Sequence, residues 1–119
     1  MSIAASRPAA GSDLVELARG AAVALEALLG DATAKVRERV AVEGHVVGRL
    51  LDREQRATHG LAWLATYVEA VRQLAAYAGR MAGEGTLGEL EDHLIRIGLG
   101  EYIAQILGGI PMSQNEVVR

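Results

Sequence analysis

The chain has no cysteine and no phenylalanine, and only 3% of its 119 residues are aromatic. The missing thiols exclude a disulfide framework and a thiolate metal site, and they suit a reducing, cytoplasmic setting. The missing aromatics mean that a core drawn from a chain that is 50% hydrophobic must be built of Ala, Leu, Val and Ile, which lets helices approach closely. Positive charge is not in excess either. The 12 Lys and Arg residues are scattered among 15 Asp and Glu for a net charge of −3, so no phosphate-tracking surface is expected and no nucleic-acid partner. A long uncharged apolar run is also lacking. The greasiest stretch, HGLAWLATYVEAVRQLAAYAGRM over 59–81, carries Glu69, Arg72, Gln73 and Arg80. Charges near a bilayer centre cost about 2.5–3.5 kcal/mol each, which excludes a membrane span. The opening residues MSIAASRPAA have neither the charged start nor the apolar run of a signal peptide. They read as a flexible leader over 1–11.

What is present is helical periodicity. One domain of this length can bury roughly two thirds of its unfolded surface. Ser12 and Asp13 offer N-cap oxygens, and Asp13 with Glu16 has capping-box spacing. Leu14, Leu17, Ala18, Ala21, Leu25 and Leu28 then predict one face of a first helix. Gly30-Asp31 marks a bend or a new start, and residues 32–41 either form a second piece or extend the first. Glu43-Gly44 is the expected break. From Val47 to Ala75 a stripe including Leu50, Leu61, Leu64, Val68 and Val71 predicts a helix over about 46–82, roughly 55 Å long at 1.5 Å per residue. Gly48 and Gly60 are the expected kink points. Within it Trp63, Tyr67, Ala70, Leu74 and Tyr77 make a second apolar face, so this helix should be covered from two sides.

Thr86-Leu87-Gly88-Glu89 has the spacing of a capping box and predicts a last helix beginning at Thr86, with Leu87, Leu90, Leu94 and Ile97 inward. Gly108-Gly109 before Ile110-Pro111 should end it. The expected architecture is all-α, an up-down bundle of three to four helices with one long central helix. The helical domain spans 12–110, and 111–119 form an extended tail or linker.

Chemistry-bearing patterns are weak. A carboxylate-bridged di-metal bundle needs Glu-x-x-His pairs, yet none of His45, His59 and His93 has a Glu three residues before it, and Glu89 with His93 reads as a solvated pair. Glu54, Glu101 and Gln105 fall on apolar lines. Glu54 and Glu101 there should each form an internal ion pair, with Arg53 and Arg72 as candidate partners, or mark a helix end reaching water, or else be a perturbed acid or base. Gly98-Leu99-Gly100 lacks the third glycine and preceding strand of a dinucleotide loop, and Ser113 has no partnered His or Asp nearby in sequence. No catalytic, metal or cofactor-binding residue is assigned, and no cofactor is expected in this chain.

REQRATHGLAWLATYVEAVRQLAAYAGRM, residues 53–81, with GEYIAQILGGIPMSQNEVVR, residues 100–119, resembles the helical N-terminal extension of bacterial acyl-CoA dehydrogenase-like proteins. A full enzyme of that kind binds FAD and uses a glutamate base on an acyl-CoA thioester. Nothing in this chain matches those segments, so the resemblance implies architecture only: a non-catalytic accessory or dimerisation module. Trp63, Leu64, Tyr67, Leu74 and Tyr77 are its expected interface, toward a second copy in a homodimer or toward the dehydrogenase body. The competing reading is a ligand-binding or enzymatic bundle using Glu54, His59, Glu69 and Arg72 around an apolar acyl pocket.

Overall fold

A computed structural model of the chain describes residues 12–119; the leader expected over 1–11 lies outside the described residues. The fold is all-α apart from two short hairpins. Helix α1 runs Ser12–Val40, the two-residue strands β1 (Ala41–Val42) and β2 (His45–Val46) follow, then α2 (Gly48–Arg53), α3 (Gln55–Glu84), α4 (Glu89–Gly108), β3 (Ile110–Pro111) and β4 (Val117–Val118).

The region 32–41 extends the first helix, so α1 is one rod of 29 residues, matched by the 30 residues of α3. The long helix expected is thus present as α3, and α1 nearly equals it in length. The break falls at Glu43-Gly44 as the turn chemistry predicts. Both residues have positive φ, 51° and 81°, and the turn between β1 and β2 pairs Ala41 with Val46 and Val42 with His45.

The helix expected over 46–82 is interrupted, and the interruption is at Glu54 rather than at Gly48 or Gly60. Glu54 has φ −104° and ψ 26°, its N–H still bonding back to Leu50 and Leu51. Its half-buried carboxylate lies 3.7 Å from Arg39 on α1 and 3.5 Å from Arg53. Of the two partners expected, Arg53 is present and Arg72 is engaged elsewhere.

The dry core lies between the first half of α1, the second half of α3 and α4. Leu14, Val15, Ala18 and Ala22 meet Val71, Ala75 and Ala78, with Leu87, Ile95 and Leu99 closing the third side. No polar or charged side chain is buried among the described residues. On α1, Val15 and Ala22 take the inward places, whereas Leu17 and Leu28 are exposed, a small rotation of the expected face.

The last helix departs further from its prediction. It begins at Glu89, and Thr86 caps the preceding helix instead: its N–H and hydroxyl both bond Met81 O, beside Gly85 in the left-handed region. Leu87 is buried as expected, but Leu90, Leu94 and Ile97 are turned outward. Ile95 and Leu99 are the inward residues, joined by Tyr102 and Ile103.

Gly109, at φ 120°, ends α4, and the chain then turns back. Residues 110–118 form a small antiparallel hairpin, Ile110 against Val118 and Pro111 against Val117, which lies on α3 rather than extending away. Ile110 is fully buried by it.

Candidate functional site

Of the expected interface residues, Tyr67 and Leu74 lie on the seam between α3 and α4. His59, Trp63 and Tyr67 follow one another at i, i+4 spacing along α3, and Tyr102 of α4 completes an edge-to-face series with centroid separations of 6.4, 6.2 and 5.1 Å. The Tyr67 hydroxyl donates to Gln105 Oε1, and the Trp63 indole donates to His59 Nε2 at 2.9 Å. That leaves His59 Nδ1 as the nitrogen facing Glu116, 3.6 Å away in the C-terminal hairpin.

Leu74 packs on the same seam, its Cδ1 only 3.2 Å from where a Cβ on Gly98 would stand. Leu64 points into a cleft beside the C-terminal hairpin. Tyr77 is exposed, with the Arg80 guanidinium 5.9 Å above its ring. Tyr67 and Leu74 thus spend their apolar surface within the chain.

The polar groups form separate surface clusters. Arg96 bonds Asp92 on its own helix at 2.6 Å and Asp13 of α1 at 3.1 Å, and the Asp92 bond, with that of Asp13, holds the guanidinium's pKa above its ordinary value. Arg72 links Glu26 at 2.7 Å with Glu69 at 2.6 Å. The Gln73 amide, with Arg72, holds the Glu69 carboxyl below its ordinary range. Glu89 and His93 stand 3.7 Å apart, well exposed. Glu54, His59, Glu69 and Arg72 therefore do not surround one pocket. Among the described residues no three His, Asp or Glu side chains lie together as a metal site.

The feature that periodicity misassigned is the outer face of α4. Leu90, Leu94 and Ile97 are 65%, 58% and 63% exposed, and Leu107 is freer still. Leu90, Leu94 and Ile97 lie about 100–160° around the helix from Ile95, taking 100° per residue. With them sits the exposed Glu101. Those three apolar residues leave a stripe open on the outer face of α4.

No family model matches the chain. It is 50% identical over 107 residues to a (2S)-methylsuccinyl-CoA dehydrogenase of Cereibacter sphaeroides. The chain resembles part of an acyl-CoA dehydrogenase. The match covers 90% of this chain, beyond the stretches 53–81 and 100–119 on which the sequence resemblance rests, and 20% of the relative. The chain thus spans one fifth of the length of that relative. Among the described residues no helix is long and apolar enough to cross a membrane.

Proposed function

We propose that the chain is a non-catalytic helical accessory module of an acyl-CoA dehydrogenase-like flavoprotein, and that it docks through the outer stripe of α4. The observation that carries this reading is the 50% identity to one fifth of a dehydrogenase, combined with the uncovered residues Leu90, Leu94 and Ile97. Four fifths of the relative lie outside the match, and on this reading they supply the counter-surface. In the isolated chain a second copy takes its place, as a symmetric homodimer. The charged side chains brought together here pair with one another at the surface, which suits a structural role. Flavin and acyl-CoA belong to the body, and a cysteine-free chain fits a cytoplasmic enzyme.

The test uses the Cereibacter enzyme from which the matching segment has been removed. Titrated calorimetrically with this chain, it is expected to bind one copy per catalytic subunit, and Leu94→Asp with Ile97→Asp is expected to abolish the heat. Absence of binding by the unaltered chain contradicts the proposal.

A further inference from the structure

Where α4 ends at Gly108, the C-terminal hairpin replaces it as the third wall of the bundle, and the packing changes character. Between α1, the first half of α3 and this hairpin lies an open cleft of about 260 Å³, walled by Leu28, Val36, Leu61, Leu64, Ile110 and Val118. Its position is set by a glycine. Gly60 is buried beneath the hairpin, and Val118 Cγ2 stands 2.8 Å from where its Cβ would be, so the hairpin rests on bare α3 backbone and leaves the trench alongside.

The side-chain charges lining the cleft have one sign. Lys35 and Arg119 are the ionisable residues lining it. Lys35 makes no ion pair among the described residues, although Asp31 and Glu38 lie one turn away on α1. On the flanking elements Glu54 pairs with Arg39 and Arg53, and Glu116 with His59. An aliphatic trench with an uncommitted ammonium at its edge matches an amphiphile whose head is negative.

We propose that this cleft binds the hydrocarbon tail of a medium-chain carboxylate, with Lys35 holding the head group. At about 30 Å³ for each water-sized group, the volume takes roughly eight methylenes. The site is separate from the docking stripe: its walls are α1, α3, the hairpin and Ile106 in the last turn of α4, and Leu90, Leu94 and Ile97 take no part.

The test is a titration of the intact, methyl-labelled chain with decanoate, decan-1-ol and decyltrimethylammonium, each below its aggregation concentration. Decanoate is expected to give saturable one-to-one shifts at the methyls of Leu64, Ile110 and Val118. The affinity for the alcohol and the ammonium, and that of Lys35→Glu for decanoate, is expected to be at least tenfold weaker. Ala32→Trp, which fills the cleft from the α1 wall, is expected to abolish the shifts while the helical circular dichroism is retained. Non-saturating decanoate shifts, equal binding of the ammonium, or Lys35→Glu binding as tightly as the parent each overturn the proposal.

Discussion

The Tyr67 hydroxyl donates to Gln105 Oε1 over 2.6 Å, tying α3 to α4 across 38 residues of sequence. Around it the seam is apolar and edge-to-face aromatic, so this is the polar contact that fixes the register of the two helices. A half-buried hydrogen bond of this kind contributes about 1 kcal/mol. Tyr67→Phe is expected to lose about that amount in urea unfolding. Combined with Gln105→Leu, it should lose less than the sum of the two single changes. Strict additivity contradicts the pairing.

The two faces of α4 make opposite predictions. Ile95 and Leu99 are buried against α1 and α3, so Ile95→Ala or Leu99→Ala is expected to cost about 2–4 kcal/mol. Leu94→Ala is expected to stay within about 0.5 kcal/mol of the parent in a dilute sample. Comparable losses at Leu94 and Ile95 contradict the orientation of the helix.

That orientation shows what the sequence could and could not specify. The helical class, the break at Glu43-Gly44 and the end of the last helix at Gly108-Gly109 were legible because each rests on local chemistry: periodicity, positive φ, or glycine ahead of proline. The inner face of α4 was not legible. Apolar residues sit on both sides of it, and a count of spacing cannot tell the covered side from the uncovered one. The 86–89 motif misled for a related reason, since Thr86 can serve the helix before it as well as the one after. The C-terminal hairpin has strands of two residues, too short for alternation to register. The cleft depends on Gly60 meeting Val118 across 58 positions, a tertiary fact that no local pattern carries.

Glycines separate local propensity from tertiary contact. Nothing lies within 4 Å of a Cβ placed on Gly30, in the middle of α1, so Gly30→Ala is expected to stabilise the chain by about 1 kcal/mol. The same change at Gly60 meets Val118 at 2.8 Å, and the stiff valine cannot swing aside alone. Gly60→Ala is expected to lift the hairpin, read as faster amide exchange at Met112, whose N–H bonds Glu116 O. Unchanged exchange there, with a gain like that of Gly30→Ala, contradicts the packing.

Glu69 gives a pH prediction of definite sign. Its carboxyl is held below the ordinary 4.5 by the Gln73 amide and Arg72, so the folded chain binds that proton less readily than the unfolded one. The resulting stabilisation is complete above about pH 4.5 and fades as pH falls through the lower folded value. Titration of the Glu69 side-chain carbon by NMR is expected to show a midpoint that rises in Gln73→Ala. An unchanged midpoint contradicts the cause.

The central claim is that the outer stripe of α4 is a docking face, and the mass of the isolated chain in solution tests it most directly. Light scattering on a size-exclusion column is expected to give twice 12.6 kDa for the parent and a single 12.6 kDa unit for Leu94→Asp with Ile97→Asp, both fully helical. A parent that stays at 12.6 kDa at all concentrations, with Leu90, Leu94 and Ile97 still open to water, contradicts it.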